Sequence, residues 1–160
     1  MTSHAHHEPD RAAAAAASRQ YSTFFLDGLY LGVEVLKVQE LIRYQEMTRV
    51  PLASSVVRGL INLRGQIVTA IDLRCRLELP PLSTDLAPVN IVVQTDDGTV
   101  SLLVDEIGDV LEVTAEQFER PPETLQGVAR ELIRGAYKLP DRLLVILDTD
   151  LVVSLPTASS

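Results

Sequence analysis

The chain has 160 residues, 46% of them hydrophobic, and a formal net charge of -8, a size that accommodates one ordinary domain with a sizeable core. The acidic balance and an aromatic content of only 4% exclude the basic, ring-lined surfaces that nucleic acid rewards. No apolar run approaches the roughly 20 residues needed to cross a bilayer, and the N-terminus lacks the basic-then-apolar order of a signal peptide, so a soluble, cytosolic protein is expected.

Residues 1–20 contain His4, His6 and His7 and the run Ala12 to Ala17. With nothing larger than alanine to bury along that run, they read as a disordered tail. No second ligand group elsewhere completes a site with the three histidines, so no metal is expected. From Tyr21 the texture changes to short Leu-rich and β-branched segments punctuated by Gly, Pro and Asp. Asp27-Gly28 separates residues 23–26 from 30–38, and Asp97-Gly98 separates 89–95 from 99–107. Both predict hairpins, because Asp-Gly accepts the positive φ angles of tight turns. Helical signals are short. Residues 51–57 could hold one to two turns, and Thr114 has Gln117 three residues on as a capping pair before Pro121 and Pro122 stop the segment. Cys75 stands alone, which precludes an intrachain disulfide, and its Leu-Arg-Cys-Arg-Leu setting predicts a small half-buried side chain rather than a reactive thiol. Residues 79–88, with Pro80, Pro81 and Pro88, are the clear linker and divide the ordered chain nearly in half. Many short strands without long helices predict an all-β protein whose sheets curl to hide their edges.

The second half faintly repeats the first. Residues 33–42 lie over 102–111, pairing Val35 with Val104, Val38 with Ile107 and Leu41 with Val110; residues 57–72 lie over 133–148, "VRGLINLRGQIVTAID" against "IRGAYKLPDRLLVILD". Arg58 falls on Arg134, Gly59 on Gly135, Leu63 on Leu139 and Asp72 on Asp148. Features kept in both copies serve the shared fold: an Arg near the end of a short helix, a Gly entering a strand and an Asp at a strand end. Features present in one copy are free to serve function, and Arg64-Gly65 becomes Pro140-Asp141 in the second. Arg64 is therefore singled out at a turn where Gly65 supplies the unusual backbone angle.

Catalytic constellations are sparse. Asp72 and Asp148, one per half, suggest an acid pair of a hydrolase, but they are followed by Leu73-Arg74 and Thr149-Asp150 rather than the glycine that would let two carboxylates share a proton. All three histidines lie in the tail, so no ordered imidazole can activate a Ser or Cys nucleophile. Phosphate-cradling Gly-rich loops are absent, and no cofactor is expected. The ordered region is built to bind rather than to react.

Several segments together resemble the CheW chemotaxis coupling family. They are "FFLDGLYLGVEVLKVQELI", Thr48-Arg-Val-Pro51, "VRGLINLRGQIV" with its following "AIDLR", "LLVDEIGDVLEVTAEQF" and "LPDRLLVILD", in the family's order over nearly all of residues 21–153. Thr69-Ala70 stands where Pro-Val is frequent. The resemblance implies a single domain over 21–155 made of two SH3-like five-stranded β-barrel subdomains on a shared hydrophobic core. They would cover roughly 21–85 and 86–155, with strand exchange between them left open. It implies no enzymatic activity, and two partners: the regulatory domain of a CheA-type histidine kinase, and the cytoplasmic tip of methyl-accepting chemoreceptors, at membrane-associated arrays. The same scaffold could serve a chemosensory-like pathway with another output such as surface motility. Family coupling residues fall on Glu40 and on Arg64 of Asn62-Leu-Arg-Gly65. Val38, Gly59 and, through the repeat, Ile107 are the apolar or groove-bordering positions, because helix-in-groove recognition wants apolar contacts ringed by a few charges. Glu40 and Arg64 are expected to pair across neighbouring strands. Tyr44 and Met47 are the apolar candidates for kinase contact on an exposed connection.

Overall fold

The computed structural model describes residues 18–43, 46–81, 88–123, 125 and 127–154. Strands β1 Ser18–Leu26, β2 Leu29–Glu34, β3 Val38–Ile42, β4 Val57–Leu63 and β5 Gln66–Asp72 lead to helix α1, Leu73–Arg76. Strands β6 Val89–Thr95, β7 Gly98–Val104, β8 Glu106–Thr114 and β9 Phe118–Glu119 follow, then helix α2 Gly127–Glu131, strands β10 Ile133–Lys138 and β11 Leu143–Leu147, and helix α3 Thr149–Val153. The fold is all-β, with two sheets in the orders β8-β1-β2-β11-β10-β9 and β3-β6-β7-β5-β4. The first has a sixth strand, the two-residue β9. Strand β1 opens at Ser18, inside the stretch the sequence assigns to the tail, because Ser18, Arg19 and Gln20 pair with Thr114, Val113 and Glu112 of β8.

Each half of the chain sends its leading hairpin to the other half's sheet. The β1–β2 hairpin lies between β8 and β11, and the β6–β7 hairpin lies between β3 and β5. The repeat is now visible residue by residue. In one sheet β2 runs parallel to β11 with Leu31 opposite Val145, and in the other β7 runs parallel to β5 with Val100 opposite Thr69. Phe24 faces Leu31 across one hairpin as Val93 faces Val100 across the other. Hairpins β4–β5 and β10–β11 share one register, including an irregularity between Val57 and Gly59 that recurs between Ile133 and Gly135. Arg58 and Arg134 sit at these bulges, in strands rather than near the end of a helix. The extra residue of a bulge bends its strand and re-aims a side chain.

Both glycines serve a crossing chain. A Cβ on Gly59 would lie 2.8 Å from the Thr48 carbonyl oxygen, and one on Gly135 would lie 2.5 Å from the Phe118 ring. Thr48 bridges to Leu60 of β4 just as β9 pairs with β10. The chain leaving edge strand β3 or β8 thus returns to the opposite edge of its own sheet.

The core lies between the sheets. Phe24, Leu26, Leu31 and Val33 of one sheet pack with Ile71, Ile91, Val93 and Leu102 of the other, and Leu73, Leu132 and Val152 around the helices close the same cluster. Each sheet keeps a smaller cluster on its far side: Tyr21, Val113, Tyr137, Leu144 and Ile146 in one, Ile61, Val68, Ala70 and Leu103 in the other. Burial of one aliphatic side chain is worth about 1.5 to 3 kcal/mol, so the shared cluster binds the sheets into one unit.

The sharing explains where sequence expectations fail. The strand expected over 30–38 ends at Glu34, and a 3-10 turn, Val35–Lys37, carries the chain to the second sheet. The strand expected over 99–107 ends at Val104, and Ile107 belongs to β8 of the first sheet. Instead of a helix over 51–57, turns at residues 51–52, with Leu52 at φ 65°, and at 55–56 lead into β4 at Val57. The turn Ala115–Gln117 forms as expected, with the Thr114 N–H donating to Gln117 Oε1 at 2.9 Å.

Charged latches tie the helices across the junction. Arg74 of α1 donates to both carboxylate oxygens of Asp105 at 2.8 and 2.6 Å and stands 3.5 Å from Asp27 at the β1–β2 tip. Its counterpart in the repeat, Asp150 of α3, pairs with Lys37 at 3.4 Å and accepts from the Asp96 N–H at the β6–β7 tip. The two latches are equivalent in place and opposite in charge. Arg76 donates to the carbonyls of Val152 and Leu151 at the C-terminal end of α3, where unpaired carbonyls and the helix dipole favour a cation. Burial alone would raise the Asp105 pKa, but the Arg74 hydrogen bond, the Asp27 N–H and the Arg74 charge outweigh it and hold the carboxyl below its ordinary value.

Candidate functional site

Hairpin β4–β5 turns through Arg64 and Gly65, at φ 54° and 86°. Two successive positive φ angles match the right-handed twist of the flanking strands, which is why such turns favour Asn-Gly or Asp-Gly. The β1–β2 turn follows that preference with Asp27 and Gly28 at φ 53° and 80°. Arginine is poorly suited to the position, since a left-handed backbone costs a residue with a Cβ roughly 1 kcal/mol. The turn is held open for it by Asn62, whose Oδ1 accepts from the Gly65 N–H at 2.9 Å. Arg64 Nη1 lies 3.0 Å from Glu40 Oε1, with the Arg64 side chain 81% exposed and that of Glu40 only 19%. Strands β3 and β4 are the two edges of their sheet, so this ion pair spans from one edge to the tip of the other. A mostly buried carboxylate anchors the end of the guanidinium, and the rest of the arginine stays open to a partner.

The structure thus brings Glu40, Asn62, Arg64 and Gly65 together. Val38 lies on the same strand as Glu40, half-buried against the shared core and opposite Val93. Ile107 occupies the equivalent position in the other sheet, opposite Phe24, and packs against the same core. Gly59 is buried beneath the Thr48 segment, so its place is set by chain crossing. Met47 lies between the exposed Glu46 and Thr48, but its own side chain is half-buried and packs on the cluster of Ile61, Val68 and Ala70. Tyr44 lies outside the described residues.

The sequence reading missed the exposed apolar side chains nearby. Leu36 is 98% exposed, Ile67 60% and Leu41 44%. Ile67 stands opposite Asn62 across the hairpin, beside the Arg64 turn. Its position could have been read from parity, since Val68 and Ala70 point into the core cluster and the residue between the turn and Val68 must point away.

The two strand-end aspartates do structural work in separate sheets. Asp72 Oδ1 accepts from the Cys75 N–H at the start of α1 and Oδ2 pairs with Arg58; Asp148 Oδ1 accepts from the Leu151 N–H at the start of α3. Side-chain caps of this kind satisfy first-turn donors. Cys75 is half-buried, with Sγ 3.7 Å from the Ser55 carbonyl oxygen. Among the described residues no group of three or more His, Cys, Asp or Glu could hold a metal ion, and no helix is long and apolar enough to cross a membrane; His4, His6 and His7 lie outside the described residues.

Comparison with known proteins converges. The family model described as a CheW-like domain matches residues 20–156. The chemotaxis protein CheW of Klebsiella aerogenes is 34% identical over 142 residues, covering 89% of this chain and 86% of that protein. CheW of Bacillus subtilis is 33% identical over 137 residues, covering 86% of this chain and 88% of that one. The crystal structure of the scaffolding protein TtCheW from Thermoanaerobacter tengcongensis superposes with a TM-score of 0.76 at 24% identity, over 86% of this chain and 93% of that one, a likeness of fold. The chain belongs to the CheW family of chemotaxis proteins.

Proposed function

We propose that this chain is the adaptor that couples chemoreceptors to a CheA-type histidine kinase, working in the cytoplasm at receptor arrays it reaches through those partners. The single observation that supports this reading is the Arg64 turn. An arginine occupies a left-handed position that asparagine or aspartate would fill at less cost, and its guanidinium is held toward solvent by Glu40. Exposed ion pairs contribute about 0 to 1 kcal/mol to stability, whereas an arginine at the centre of an interface can cost about 2 kcal/mol or more when truncated. Glu40 and Arg64 set the register of the partner, and the exposed Ile67 and Leu41 supply apolar contact beside them. Val38 and Ile107 serve the groove through the packing beneath it, and Asn62, Gly65 and Gly59 hold the backbone that presents it.

The test is a pull-down of this chain by the regulatory domain of a CheA-type kinase and by a receptor tip fragment, with Arg64→Ala beside the wild type. Wild-type capture that Arg64→Ala weakens at least tenfold with an unchanged melting temperature supports the reading. Capture by neither partner refutes it. An Arg64→Ala protein that melts early yet binds normally refutes the role of Arg64.

A further inference from the structure

The two sheets differ at the outer end of the far-side cluster in the β8-β1-β2-β11-β10-β9 sheet. There a cavity of about 230 Å³ opens between Arg19, Tyr21, Glu34, Phe118, Arg134 and Tyr137. Tyr21 and Tyr137 are only 5% and 8% exposed, and their hydroxyl oxygens lie 3.5 Å apart, at the long limit of a hydrogen bond. In that contact one hydroxyl is the donor and the other the acceptor, so one phenolic hydrogen is left for another acceptor. The two rings lie tilted with centroids 5.6 Å apart, and Phe118, half exposed, meets Tyr137 edge-on at 5.4 Å to form a wall. Glu34 is engaged by Arg134 at 3.4 Å, while Arg19 is exposed at the rim. Two guanidinium groups thus stand with one carboxylate at the mouth, and Arg134 also feels the charge of Asp150.

The corresponding place in the other sheet is lined differently. There Asn90 stands for Tyr21 and Ile61 for Tyr137, and Asn90 is hydrogen-bonded at both amide atoms: Oδ1 accepts from Ser101 Oγ at 2.7 Å and Nδ2 donates to the Arg43 carbonyl at 3.3 Å. The tyrosine rings, Arg19 and a spare phenolic donor therefore occur in one copy of the repeat, whereas Arg134 has Arg58 as its counterpart. The fold alone does not require them.

We propose that this mouth is a binding site for a small aromatic carboxylate, its ring against Phe118 and Tyr137 and its carboxylate taken by Arg134, Arg19 and the spare phenolic hydroxyl. Burial first, and then the Tyr137 hydroxyl, pushes the Tyr21 pKa up, so this phenol stays a neutral donor throughout the physiological range. An aromatic ring suits the walls because offset and edge-on ring pairs add to simple burial, and a carboxylate suits two guanidinium groups because charged hydrogen bonds are about twice as strong as neutral ones.

Titration of the full chain with benzoate, followed by amide NMR shifts, tests the site. Saturable shifts at Tyr21, Gly135 and Tyr137 are expected, with benzamide and acetate each binding at least tenfold more weakly. Arg134→Gln and, independently, the exposed Arg19→Gln should each weaken benzoate by about tenfold with circular dichroism and melting temperature retained. Shifts that do not saturate, that centre elsewhere, or that are matched by benzamide overturn the proposal. So does unaltered benzoate affinity in both arginine variants.

Discussion

Arg64 is a residue at which local preference and role disagree. Its φ of 54° is one that asparagine tolerates far better, and Asn-Gly is the favoured pair for this turn. Arg64→Asn should therefore raise stability by roughly 0.5 to 1 kcal/mol, measured by thermal or denaturant melting, while weakening kinase and receptor capture as strongly as Arg64→Ala. A variant that is both more stable and fully competent would show that the guanidinium has no role in binding. The residue was legible in the sequence because the repeat broke there, with Pro140-Asp141 in its place. The pairing with Glu40 was legible only through family resemblance, since nothing local to either residue says that opposite edges of one sheet approach. Gly59 was legible as special through its recurrence as Gly135, but the Thr48 segment that it accommodates was not.

At the scale of elements, the bulged starts of β4 and β10 offer an internal comparison. Alanine at Gly59 pushes its Cβ against a backbone carbonyl, whereas alanine at Gly135 meets the far end of the half-exposed Phe118 ring. A ring edge can swing aside and a paired backbone cannot. Gly59→Ala should cost about 1 to 3 kcal/mol and Gly135→Ala clearly less, in parallel urea melts. Equal costs would show that the Thr48 crossing is not rigid. Strand identity was largely readable from β-branched content and Asp-Gly turns. The breaks after Glu34 and after Val104 were not, because similar apolar residues lie on both sides of each break and the side chain that fixes one of them, Asp150 gripping Lys37, lies more than a hundred residues away. The missing helix over 51–57 has the same origin, for the segment is held by the Thr48 to Leu60 bridge and by turns that outweigh weak helical propensity.

For the whole molecule, the opposite-charge latches decide which helix meets which hairpin tip. Exchanging them would set Arg74 against Lys37, so the charges favour the observed pairing. Arg74→Met leaves Asp105, whose side chain is 17% exposed, without its cation, and should cost roughly 2 to 3 kcal/mol in a denaturant melt. Because the Asp105 pKa is lower folded than unfolded, the latch contributes fully above the ordinary carboxylate value of about 4 and is lost as the pH falls through the lower folded value. The melting temperature should hold from pH 7 to about pH 5 and drop below about pH 4. Asp105→Asn should lower it at pH 7 and flatten the acid-side slope; an unchanged slope would assign acid sensitivity to other carboxylates. Two units and a shared core were visible in the repeat and in the apolar segments. The destination of each hairpin was not, since it depends on partners such as Phe24 and Ile107 that are distant in sequence. The reciprocal placement of the hairpins also sets an order of completion during synthesis. All five strands of the β3-β6-β7-β5-β4 sheet exist once Val104 has been made, whereas the earlier β1–β2 hairpin waits for β8 on one edge and for β11 on the other. That hairpin is therefore enclosed only after Leu147 has been made, and until then its two open edges are surfaces exposed to wrong partners.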